Sequence, residues 1–123
     1  MLREKKKVMV FGTFDGLHEG HRYFLSEARK LGDYFVVVVA HDEAVRELKG
    51  REPKEGMEDR AKNIRDAGLA NEVVIGDTVK GSWNILEVHR PDIIAVGHDQ
   101  VNLETELQKR FPNSKVVMLK ELG

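Results

Sequence analysis

Five short runs along the chain are apolar without alternation: Val8–Phe11, Phe35–Ala40, Val73–Ile75, Ile93–Val96 and Val116–Leu119. A strand with one wet face alternates apolar and polar positions, whereas a strand covered on both faces does not, so these runs predict a parallel sheet enclosed by helices. The segments between them repeat apolar residues at helical spacing. Phe24, Ala28 and Leu31 lie at i, i+4 and i+7, with Gly32 as a stop, and Met57, Ala61 and Ile64 do the same before Gly68. A third stripe, Ile85, Leu86 and His89, can be capped by Ser82 and must finish before Pro91; Leu103, Leu107 and Phe111 form the last, closed by Pro112. The order βαβαβαβαβ requires right-handed crossovers and predicts an α/β fold, a doubly wound five-stranded parallel sheet in three αβα layers.

One stretch breaks the pattern. Residues 41 to 56, HDEAVRELKGREPKEG, are highly charged and interrupted by Pro53 and Gly56. They read as a solvated connection, or as a short helix plus loop. Such a loop leaves the carboxyl end of a parallel strand, the edge at which doubly wound folds bind ligands.

Composition narrows the chemistry. At 123 residues the chain has the length of one domain, residues 1–123, and 20 Lys+Arg nearly balance 21 Asp+Glu. No global field then favours nucleic acid or an anionic membrane, so an anionic ligand needs a local site, and Lys5-Lys6-Lys7 reads as a solvated lead-in to the first strand. With no cysteine the chain has no disulfide, thiolate metal site or thiol nucleophile, which suits a reducing cytoplasm. No run approaches the roughly 20 apolar residues that cross a bilayer, and the basic start lacks a signal-like hydrophobic region.

Residues 11 to 24, FGTFDGLHEGHRYF, hold the densest candidate chemistry. Gly12 to His21 fall in the first βα turn, with a helix starting near Gly20, and a helix N-terminus offers unpaired amides and the positive end of the dipole to an anion. Gly12, Gly16 and Gly20 let backbone approach a phosphate, but their spacing fits neither the dinucleotide fingerprint nor the P-loop. His18 and His21, three positions apart, can point into one crevice. Three readings compete. A zinc pair is weakened because HEGH is one residue short of HExxH and no cysteine supplies a further ligand. A structural pair would use one ring as a cap. A phosphate site would use both rings as donors to charge developing on phosphorus.

The stretch GTFDGLHEGH resembles the GTFD-x-x-H-x-G-H signature of the cytidylyltransferase-like nucleotidyltransferases, a Rossmann-like family that moves a nucleotidyl group from an NTP to an acceptor and releases pyrophosphate. The likeness continues through GDYFVVVVAHDEAV, through Met57-Glu-Asp-Arg60 and through Arg90-Pro-Asp-Ile-Ile-Ala-Val-Gly-His-Asp-Gln100, from about Lys7 to Leu119. It implies that His18 and His21 contact the triphosphate and stabilise the α-phosphorus, that Lys49 and Arg60 bind phosphate, and that Thr13, Phe14 and Gly20 add hydroxyl or backbone contacts. Arg46 and Arg51 could exchange places with Lys49 under a small alignment shift. Arg60 opens a helix, where the dipole disfavours a cation unless an anion is near. Asp15 fits either a cation-bridged phosphate contact or an Asx-type turn. Gly97 ends the fourth strand where the nucleoside should lie; Asp99 would accept from ribose hydroxyls and Gln100 would read base edges, with a helix-capping loop as the structural alternative. His41, His98 and Trp83 acquire no defined role.

Gly97-His98-Asp99-Gln100 is closer to the Gly-Tyr-Asp-Gln of archaeal-type FAD synthases than to the Gly-Asp-Asp-Trp of glycerol-3-phosphate cytidylyltransferases. The resemblance therefore implies an FMN adenylyltransferase that uses ATP with Mg²⁺ carried on the triphosphate. A glycerol-3-phosphate or sugar-phosphate cytidylyltransferase using CTP is the runner-up, and a non-catalytic nucleotide-binding module is the rival from another class. Partners are then an NTP and a phosphorylated small molecule, with no protein-held metal, no nucleic acid and no membrane; homodimers also occur in the family. Its closing motif, an Arg-Thr-Glu-Gly-Ile-Ser-Thr-Thr or Ser/Thr-Arg segment after strand five, has no counterpart up to Leu122-Gly123. On this reading a continuation of the chain or a partner completes the phosphate clamp, or the clamp is weaker.

Overall fold

A computed structural model describes residues 6–78, 83–97 and 101–119. Its elements run β1 (Lys7–Gly12), α1 (Glu19–Arg29), β2 (Tyr34–Val39), α2 (Asp42–Lys49), α3 (Met57–Ala67), β3 (Glu72–Ile75), α4 (Asn84–His89), β4 (Ile93–Gly97), α5 (Val101–Arg110) and β5 (Lys115–Leu119). All strand pairs are parallel, and the sheet order is β3-β2-β1-β4-β5.

The lack of alternation in the strands has its cause in the core. Val8 and Val10 of β1 face a cluster with Phe24, Leu25 and Ala28 of α1 and Ala61 and Ile64 of α3. Met9, between them, faces the opposite layer with Val36, Val38, Ile94 and Val96, closed by Leu86 of α4 and Leu107 of α5. Both faces of the central strands β1, β2 and β4 are thus dry, as their sequence pattern requires. Among the described residues, no helix is long and apolar enough to cross a membrane.

β1 lies between β2 and β4, and the chain reaches β4 only after building β2 and β3 on the other side. The carboxyl end of β1 is therefore the topological switch point, where doubly wound sheets open a crevice. Gly12 ends that strand and lets the chain fold back: a Cβ there would lie 2.6 Å from the Phe14 ring, which is buried beneath the turn at 4% exposure with φ 54°.

One boundary differs from expectation. Gly32 does not end α1, whose C-cap is Lys30 in ordinary αR geometry. It serves close packing instead, since a Cβ on Gly32 would lie 2.6 Å from both the Lys6 carbonyl oxygen and Val8. Residues 42–49 of the charged stretch form a real helix, ended by Gly50 in αL, so the short-helix-plus-loop reading holds. Ser82, expected to cap α4, lies outside the described residues; within them, the Asp77 carboxylate accepts from the Ile85 amide at 3.4 Å.

Candidate active site

The turn between β1 and α1 is organised by its own histidines. His18 is the N-cap of α1, and its Nδ1 accepts from the amides of Gly20 at 3.0 Å and His21 at 3.3 Å. His21 answers at N3: its Nδ1 accepts from the His18 amide at 3.4 Å, a long reciprocal bond that completes a capping box built from imidazoles. The two rings stack with centroids 3.7 Å apart and planes 17° apart, and Phe14 meets His21 edge-on at 5.4 Å. Because Nδ1 is the acceptor in both, each neutral ring carries its proton on Nε2. The site therefore offers two imidazole N–H donors fixed by the backbone. Gly20 consequently differs from its predicted role: its amide already serves the His18 cap rather than standing open to a phosphate.

The rest of the turn hangs on the start of α3. Arg60 is fully buried, and its guanidinium donates to the Glu55 carbonyl at 2.9 Å, the Thr13 carbonyl at 2.8 Å and Asp42 Oδ1 at 2.7 Å. The anion that this helix-start cation calls for is thus a protein carboxylate from α2. Asp42 also accepts from the Met57 amide at 3.1 Å and so caps α3, whose N-cap Gly56 has no side chain to do it. Arg60 holds the turn together, each of its three guanidinium nitrogens donating to a protein acceptor. Thr13 accordingly presents its carbonyl to Arg60, and Phe14 is a buried prop for His21.

Asp15 resolves toward its turn reading. Its carboxylate oxygens accept from the amides of Lys54 at 2.8 Å and Glu55 at 2.9 Å, tying the turn across to the α2–α3 loop. Desolvation pushes this carboxyl up, but the two amides together with the Arg60 and Lys54 charges outweigh it and hold it below the usual carboxylate range.

Lys49 ends α2 as an exposed side chain, close enough for its charge to act on His21. Arg46 is engaged with Glu43 at 2.6 Å and with Glu52, Arg51 reaches the Glu52 carbonyl at 3.4 Å, and the Lys54 charge acts on Asp15, whereas the Lys49 charge acts on His21. His41 caps α2 by accepting from the Glu43 amide at 3.1 Å. Gly97 is buried at the end of β4, next to β5. Trp83 packs edge-on to Phe11 with centroids 5.4 Å apart and is held by Glu106, a half-buried rim of the second core layer. His98, Asp99 and Gln100 lie outside the described residues. Asp42 and Glu55 were not anticipated; the available signal was that β2 neighbours β1, which sets the acidic start of α2 beside the histidine turn.

Burial holds the His21 imidazole below the ordinary histidine range, and its neighbours His18 and Lys49 push it the same way. An NMR titration is expected to place its midpoint below about pH 6.5, and Lys49→Gln to raise it. Between the two midpoints the unfolded chain binds the extra proton, so this group's contribution to stability is complete above the unfolded value and disappears as pH falls through the folded one. Urea unfolding at pH 7.5 and 5 checks the sign, since His21→Asn should show a smaller acid loss.

Known proteins resemble this chain in sequence and in fold. The model of the family described as cytidylyltransferase-like matches residues 9–121. A FAD synthase of Thermococcus onnurineus is 45% identical over 123 residues, covering 95% of this chain and 82% of that one. A FAD synthase of Methanosarcina barkeri is 39% identical over 117 residues, covering 92% and 82%. A crystal structure of a lipopolysaccharide core biosynthesis protein from Thermoplasma volcanium superposes with a TM-score of 0.85 at 30% identity, covering 98% of this chain and all of that one.

Proposed function

Since the chain belongs to the cytidylyltransferase-like family, we propose that it works as a FAD synthase, an FMN adenylyltransferase. A phosphate oxygen of FMN attacks the α-phosphorus of ATP, the bond from that phosphorus to the α,β-bridging oxygen breaks, and pyrophosphate leaves with FAD as the product. An FMN phosphate is ionised at neutral pH, so the step needs no general base. It needs alignment and relief of charge on the α-phosphoryl oxygens. The His18 and His21 Nε2–H groups would donate to those oxygens, and Lys49 would approach from the end of α2.

The reading is carried by the imidazole pair fixed at the switch point of a chain whose relatives over nearly its whole length are FAD synthases. A divalent cation, Mg²⁺ in this proposal, would travel on the nucleotide and neutralise phosphate charge. Among the described residues no group of three or more His, Asp or Glu side chains is arranged to hold it, and both Asp15 oxygens accept backbone amides. The cytoplasmic setting anticipated above belongs to the same proposal.

Incubating the protein with MgATP and FMN is expected to yield FAD and pyrophosphate in equal amounts. CTP with glycerol 3-phosphate or a sugar phosphate serves as the comparison, the latter because of the likeness to a lipopolysaccharide core biosynthesis protein. Pyrophosphate released only with those substrates would reassign the acceptor; nucleotide binding by calorimetry with no pyrophosphate from any pair would support the non-catalytic module.

A further inference from the structure

We propose that Glu55 is a positioning residue for nucleotidyl transfer, clamping the turn that carries His18 to the start of α3. The proposal rests on the transfer reaction just given. Every polar group of Glu55 is engaged there. Its amide donates to Asp15 Oδ1 at 2.9 Å, its carbonyl accepts from Arg60 Nε at 2.9 Å, and its side-chain Oε1 accepts from the Gly16 amide at 3.1 Å. Asn63, nearly two turns into α3, donates to both carboxylate oxygens at 3.3 and 3.1 Å and so fixes the acceptor in place.

Gly16 is the weak point of the turn. It is exposed, with φ +75° and nothing within 4 Å of where a Cβ would stand. Leu17 alone separates it from the His18 cap. Phe14 is anchored by burial and Asp15 by two amides, but the Glu55 carboxylate is what holds the Gly16 peptide. Without it, the chain from Asp15 to His18 can pivot while the fold stays closed through Arg60. An in-line transfer is sensitive to such a shift, because a misplacement of about 1 Å in the reacting geometry can cost on the order of a hundredfold in rate.

Glu55→Ala and Glu55→Gln test the clamp in the full chain. The alanine variant is expected to lose about tenfold in kcat with little change in the KM for FMN, and amide hydrogen exchange at Gly16 and Leu17 should quicken while α3 keeps its protection. The glutamine variant keeps an oxygen for the Gly16 amide and should recover most of kcat. Normal kcat in Glu55→Ala would overturn the proposal, as would a glutamine variant no better than alanine, since charge rather than position would then be the cause. Exchange distinguishes the two levels: quickened Gly16 exchange in a protein that never makes FAD would sink the functional reading while upholding the clamp.

Discussion

Replacing Arg60 with methionine is expected to cost about 3 kcal/mol of folding stability. The side chain is fully buried and its nitrogens serve the Thr13 and Glu55 carbonyls and the Asp42 carboxylate. Methionine fills similar space but donates nothing, so two carbonyls and a charge lose their partner at once. Removing one member of a fully buried pair costs about 3–5 kcal/mol; Asp42 keeps 23% of its side-chain surface exposed, and water reaching it brings the expected cost to the lower end. Calorimetry should record a fall in Tm of about 10 °C. Arg60→Lys should recover only part of this, since one ammonium cannot span three acceptors as a planar fork does. If Arg60 instead served the substrate, Tm would hold and the KM for ATP would rise.

The sheet was legible in the sequence because its central strands β1, β2 and β4 are dry on both faces, which erases alternation in a way that few other structures do. Helix positions followed from the spacing of core residues such as Phe24 with Ala28 and Ala61 with Ile64. Arg60 was legible only halfway: a cation at a helix start implies an anion, but that anion is Asp42, supplied by the meeting of the first turns of α2 and α3 that no local pattern encodes. Gly32 was misassigned because a glycine after a helix ordinarily signals a stop, whereas this one answers to the Lys6 carbonyl across the fold. The imidazole capping box was legible in part. A reading with one ring as a cap was open in the sequence and His18 fulfils it, but capping rules favour Ser, Thr, Asp and Asn, and the reciprocal bond from His21 appears only in the geometry.

The chemical role proposed for His18, beside its role as a cap, gives the most decisive experiment on the site. His18→Asn should fold like the parent protein and lose about 10²–10³ in kcat for FAD formation. Asparagine is among the best N-caps, so its side-chain oxygen can accept from Gly20 and His21 as Nδ1 does, while the Nε2–H donor is gone. His18→Ala should show the same loss of kcat plus about 1 kcal/mol of stability for the missing cap. The difference between the two separates helix capping from charge stabilisation, which alanine alone would confound. His21 belongs to the same unit, because its ring stacks on His18 at 3.7 Å and accepts from the His18 amide. The double variant His18→Asn, His21→Asn should therefore lose less than the product of the single losses. Wild-type kcat in His18→Asn would reduce the imidazole to a cap and remove the chemical reading of the pair; losses that multiply cleanly would mean that two independent donors, rather than one stacked device, face the α-phosphate.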